Sequence, residues 1–148
     1  MIQRIMVPVD FSDASCRAAR YAVEELAPQL RAEVVFVTVL EASDLRVAMS
    51  AGLHGFDTDE ELHRQVADWI EEQFRKIESA HDSVKARRDI RRGLPEREIV
   101  EAIHEHDADM VVMGAVGIAR RIPIGSKAEY VLRHSEVPLV LVRAKEKD

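Results

Sequence analysis

Five short segments read as strands: RIMVPVD at Arg4–Asp10, EVVFVTVL at Glu33–Leu40, SVKARRDI at Ser83–Ile90, DMVVMG at Asp109–Gly114 and VPLVLVR at Val137–Arg143. Four of them are β-branched and nearly unbroken in hydrophobicity, as parallel strands covered on both faces must be. Helical spacing fills the stretches between them. The pattern predicts βαβ units in an α/β fold, a doubly wound, open, parallel five-stranded sheet with helices on both faces. The third segment is mostly charged, which suits an edge position. Pro8 has no N–H for a ladder, so it belongs near the C-terminal end of the first strand or at a local irregularity.

The helices carry their own punctuation. Ser12 can cap a helix running through Tyr21 and Leu26, with Pro28 marking its end. Thr58 and Glu61 have capping-box spacing before a long helix, in which Leu62, Val66, Trp69, Ile70, Phe74 and Ile77 form one apolar stripe. Pro95 opens a third helix that turns Ile99, Val100 and Ile103 inward. Between the second strand and the long helix lies EASDLRVAMSAGLHGFD, an irregular stretch that reads either as a lid or as a surface loop without a role.

Composition narrows the class. With 148 residues, 47% of them hydrophobic and 32% charged, the chain suits one domain over residues 1–148 with a substantial core. A formal charge of -6 argues against nucleic acid or an anionic membrane as the main partner, because those surfaces require clustered Lys and Arg. The single cysteine, Cys16, cannot form an internal disulfide and stands among alanines as a small buried helix residue. No apolar run approaches a membrane span, and the first residues lack a signal-peptide layout, so the cytoplasm is the expected location.

In an open parallel sheet a ligand sits outside the C-terminal strand ends, where the chain order switches direction. Strand one ends in Pro8, Val9 and Asp10, and strand four in Met113 and Gly114. If these strands are neighbours, Asp10 and the turn Gly114–Gly117 line one crevice. Gly114 and Gly117 would let backbone approach a ligand, Gly125 and Ser126 would begin a helix whose free N–H groups suit an anion, and Lys127 and Arg120 add positive charge. The plain alternatives are that the glycines only turn the chain, that Ser126 only caps its helix, and that the Asp10 carboxylate only caps its own turn before Ser12.

Other chemistries fit less well. Neither a GxGxxG turn nor a P-loop is present. His104 and His106 point about 200° apart around a helix, which suits a solvated helix end more than a metal site. Ser12, Ser15 and Ser126 have no histidine nearby in sequence. Asp10 and Asp13 could hold magnesium beside phosphates, although Asp13 is more simply a first-turn helix charge. No base is in place to position water, so an enzyme is not expected.

The ordered segments RIMVPVDFSDAS, VVFVTV, GLPEREIVEAIHEHDADMVVMGAVG and IGSKAEYVLRHSEVPLVLVR together resemble the universal stress protein family over almost the whole chain. The resemblance implies strand order 3-2-1-4-5, a frequent dimer, and ATP as the ligand in many members, though not in others. It implies that Asp10 contacts adenosine, that Val39 packs on the base, and that Gly114, Gly117, Gly125 and Ser126 hold ribose and phosphates. Strand five, an apolar run, would then lie at a sheet edge and pair in a homodimer. A dimeric interaction module that binds no nucleotide is the second reading and an enzyme such as an ATPase the third; a response-regulator receiver could use Asp89 as its phosphorylated residue, but Arg143 stands where it would need a lysine after strand five.

Two positions depart from the family pattern. Seven residues, Ile118 to Ile124, separate Gly117 from Gly125, where the family has nine. That shortens the connection by about 3 Å if helical and up to about 7 Å if extended. Arg31 stands where many members carry glycine after the first helix.

Overall fold

A computed structural model describes residues 1–41, 59–116 and 124–144. Five strands, β1 (Arg4–Pro8), β2 (Glu33–Leu40), β3 (Ala86–Arg92), β4 (Met110–Gly114) and β5 (Leu139–Val142), form one sheet in the order β3-β2-β1-β4-β5. Every pairing is parallel. The fold class and the charged edge position of the third strand are as the sequence predicts. The order also separates the chain from a receiver, whose sheet runs 2-1-3-4-5. Asp89 lies within β3 and is engaged by Arg91 at 3.0 Å and His106 at 2.8 Å.

Alternation along each strand divides the core into two layers. Ile5, Val7, Val9, Val34 and Phe36 face helix α1 (Asp13–Tyr21), its continuation, and the long helix α3 (Asp59–Ala80). Met6, Val35, Val37, Val111 and Met113 face α4 (Pro95–Glu105) and α5 (Ser126–His134). The stripe on α3 is core as expected: Leu62, Val66, Ile70 and Phe74 are buried, with Trp69 and Ile77 partly so. Thr58 and the stretch after Glu41 that reads as a lid or loop lie outside the described residues.

Proline placement follows backbone hydrogen bonding. Pro8 is the last residue of β1, past the point at Met6–Val111 where pairing with β4 stops. Pro28 does not end its helix. The chain passes from α1 through a π-helical turn, Ala22–Leu26, into α2 (Ala27–Leu30), which contains Pro28 near its start. A wider turn absorbs the missing N–H and the ring's clash with the preceding turn, and the helix survives. The actual stop is Arg31, left-handed at φ 54°, with Ala32 N–H closing on Ala27 O. An arginine therefore holds the conformation that glycine adopts more readily. Cys16 is half-buried, not buried, and burial, then Asp10 and Asp13, push its thiol pKa up.

Candidate functional site

The C-terminal ends of β1 and β4 and the starts of α1 and α5 converge. Beyond β1 the chain makes a tight turn over α1: Ser12 N–H donates to Asp10 Oδ1 at 2.9 Å, and Asp10 N–H to Ser15 Oγ at 3.3 Å. Ser12 caps the helix as its sequence predicts, its hydroxyl accepting from Ser15 N–H at 3.3 Å. The Asp10 carboxylate thus makes its own turn with one oxygen. A carboxylate offers about four acceptor positions, so this role does not exhaust it.

Gly114 ends β4 against this same turn. A Cβ built there would stand 2.9 Å from both Ala14 Cβ and Ser15 N, and 3.0 Å from Ala14 C. Two of these three contacts are helix backbone, so the bareness of Gly114 serves the close approach of β4 to α1. One residue further, Ala115 O accepts from Gly125 N–H at 2.6 Å, which ties the start of α5 to the end of β4. Gly114 thus lies against the turn that Asp10 makes, and Gly125, which precedes Ser126, is bonded to the residue just after Gly114.

The two helix starts differ. α1 is capped by Ser12, whereas the N-cap of α5 is Gly125, with no side-chain cap. Ser126 is thus the first helical residue and not a cap. The first main-chain N–H to bond back into α5 is that of Glu129, to Gly125 O at 3.0 Å. The N–H groups of Ser126, Lys127 and Ala128 precede it at the positive end of the helix dipole.

Pro8, Val9 and Met113 are buried, Val39 and Lys127 half-buried, and Ser126 exposed. Val39 and Met113 belong to the layer under α4 and α5, whereas Val9 belongs to the opposite layer. The described members of the expected set therefore come from both sides of the sheet end. Gly117 and Arg120 lie outside the described residues. Sequence reasoning missed Phe11, which stands between Asp10 and Ser12 at φ 62°. Its place inside DFS, before a capped helix, was the available signal. His104 and His106 do not converge on a metal: His106 pairs with Asp89, and no metal-holding group of His, Cys, Asp and Glu occurs among the described residues.

The family model of the universal stress protein family matches residues 1–143, and the chain belongs to that family. It is 29% identical over 152 residues to universal stress protein MJ0531 of Methanocaldococcus jannaschii, covering 100% of this chain and 86% of that one. Among solved structures, universal stress protein UspA from Lactobacillus plantarum superposes with a TM-score of 0.78 at 24% identity, covering 96% of this chain and 98% of the other. A universal stress protein family member from Arabidopsis thaliana, with AMP bound, superposes with a TM-score of 0.67 at 16% identity over 97% and 92% of the two chains. No helix among the described residues is long and apolar enough to cross a membrane.

Proposed function

We propose that this protein is an adenine-nucleotide-binding stress-response or regulatory module without efficient catalysis, acting as one domain in the cytoplasm and paired as a homodimer through β5. The observation that carries the ligand reading is the start of α5, which has no side-chain cap and is tied by Gly125 to the end of β4 beside the Asp10 turn. Backbone donors at a helix N-terminus are a phosphate site in waiting. Ser126 and Lys127 would add a hydroxyl and a charge, and Gly117 and Arg120 lie between Gly114 and Gly125 in sequence. Asp10 would accept from a ribose hydroxyl or the base amine, with Pro8, Val9, Val39, Met113 and Gly114 around the nucleoside. ATP, with or without Mg2+, is the proposed ligand, and the AMP held by the Arabidopsis relative supports an adenosine-centred site.

Calorimetry with adenosine, AMP and ATP tests this. Asp10→Ala should weaken all three alike, by about 1–3 kcal/mol for a lost charged hydrogen bond. Ser126→Ala should cost the phosphorylated ligands more than adenosine. The competing reading, a dimeric module that takes no nucleotide, draws on Gly114, whose bareness helix packing alone explains. Flat titrations at millimolar ligand would decide for it.

Edge geometry supports the dimer. Val111 N–H donates to Pro138 O and Ala115 N–H to Val142 O, so Pro138, Val140 and Val142 face β4. Leu139 and Leu141, between them, turn their N–H and C=O groups to the open edge. A two-fold axis would satisfy these groups against a second β5.

A further inference from the structure

A line of aromatic rings runs from the core to the Asp10 turn. Phe36 and Phe74, both fully buried, stack with centroids 4.9 Å apart. Phe74 lies 6.0 Å from Phe11, and Phe11 meets Trp69 edge-on at 4.8 Å. Phe74 and Trp69 both belong to α3, the long helix that otherwise takes no part in the candidate site.

Phe11 has φ 62°, a left-handed conformation that bulky side chains rarely adopt. Its neighbours require it. Asp10 reaches back to accept from Ser12 N–H while its own N–H donates to Ser15 Oγ, so the residue between Asp10 and Ser12 must reverse the chain. Glycine would do so freely, whereas phenylalanine keeps such a conformation only when its surroundings over-determine it. The rings of Trp69 and Phe74 supply that constraint from one side. From another, Gly114 lies so near Ala14 and Ser15 that a Cβ on it would stand 2.9 Å from each, leaving the turn little room to shift.

We propose that Phe11, clamped by Trp69 and Phe74, is a positioning residue of the site: it fixes the direction of the Asp10 carboxylate and makes that direction depend on how α3 is packed. The ligand half of this proposal rests on the nucleotide reading above. A ligand that holds Asp10 would in turn be felt at α3, and Trp69, the only tryptophan of the chain, lies at the junction. Its emission should shift when AMP binds.

The test combines amide hydrogen exchange without ligand and calorimetry with AMP, on the wild type and on Phe11→Ala, Phe11→Gly and Trp69→Phe. Loss of the ring should speed exchange at Ser12 and Ser15 by about tenfold in Phe11→Ala, with Ala18 and Ala19 on the same helix unchanged. AMP affinity should fall by about tenfold in that variant, as a misdirected binding group predicts. Trp69→Phe retains a ring and should stay within about twofold of wild type in both readouts. Phe11→Gly keeps the backbone conformation but lacks the ring, so it should resemble Phe11→Ala. A glycine variant indistinguishable from wild type would overturn the clamp, since the turn alone would then suffice. Unchanged exchange in Phe11→Ala overturns it outright, and faster exchange with undiminished AMP affinity overturns the positioning role. Phe11→Leu replaces Phe11→Ala if the latter does not fold. Should the wild type take no AMP, the nucleotide reading fails and exchange alone decides whether the clamp exists.

Discussion

Strand β3 meets one edge of the sheet with Arg87, Arg88, Arg91 and Arg92 among its seven residues, whereas β5 meets the other with Leu139, Val140, Leu141 and Val142. Arg87, Arg88 and Arg91 are held. Arg91 reaches Asp89 and Glu98 at 3.0 Å, Glu105 at 2.8 Å and Glu101 at 3.6 Å. Arg88 crosses to Glu71 at 2.8 Å and Glu78 at 3.4 Å on α3, and Arg87 to Glu33 at 2.8 Å on β2. Long charged side chains tied to neighbouring elements make β3 a poor template for another strand. No charged side chain lies between Leu139 and Val142, and β5 is the edge left open to pairing. The contrast teaches that the same exposed geometry can be closed by chemistry at one side and left available at the other.

The largest effect should come from giving β5 the character of β3. Val140→Lys with Val142→Lys should shift the proposed dimer to monomer in light scattering after size exclusion. Because both valines pack on one core layer and Leu141 on the other, Leu141→Pro is an independent second variant. It removes an outward N–H without touching the ladder to β4, and proline is tolerated at a sheet edge. Both variants should raise the dissociation constant by about a hundredfold or more, on the scale of several lost contacts. A wild type that is already monomeric at tens of micromolar removes the contrast.

The reverse change, stripping charge from β3, should cost stability and not assembly. Arg91 is 13% exposed, and its guanidinium is held charged first by Glu105, against the opposing effect of burial, and further by Glu98 and Asp89. Arg91→Ala would leave four carboxylates facing one another and should cost about 1–3 kcal/mol in urea unfolding. A loss under a few tenths would mean that the ion pairs are cosmetic.

The smallest effect, and the most specific, is one of pH. Glu33 joins β2 to both neighbours, through Arg4 on β1 and Arg87 on β3, with Lys85 at 3.7 Å. The hydrogen bond from Arg4 holds its carboxyl below the ordinary range, against the pull of burial, and Arg87 acts in the same direction. A carboxyl with a depressed folded-state pKa stabilises the fold fully above its unfolded-state value and ceases to do so as pH falls through the folded-state value. Glu33→Gln should therefore lower stability at neutral pH, and its deficit against wild type should shrink below about pH 4. Asp89 behaves with the same sign: burial opposes, but hydrogen bonds from His106 and Arg91 win. A constant deficit from neutral to acid pH would assign Glu33 a packing role instead.

Much of the fold is legible in local pattern. The runs at β1, β2, β4 and β5, the stripe from Leu62 to Phe74 and the start at Pro95 follow from periodicity and from the chemistry of proline and serine. Three features are not local. Pro28 reads as a stop, but a π-helical turn five residues long carries the helix past it. His106 reads as solvated because its partner Asp89 is 17 residues away on another element. The plain alternative for Ser126, a cap, fails because Gly125 takes that position, and the carbonyl that orients it belongs to Ala115, just past β4.

By itself the sequence determined the number and kind of elements, the charged edge, and the family to which the motif order belongs, since each depends on residue types a few positions apart. Tertiary structure alone decided what the special residues do. Gly114 is bare because a Cβ there would stand 2.9 Å from Ala14 and Ser15 of α1, and Asp10 is turned by Phe11 under rings from a helix more than fifty residues away. Short-range spacing encodes periodicity and capping, whereas close approach and the direction of a side chain are set by the elements that meet there, and those meet only when the sheet is assembled.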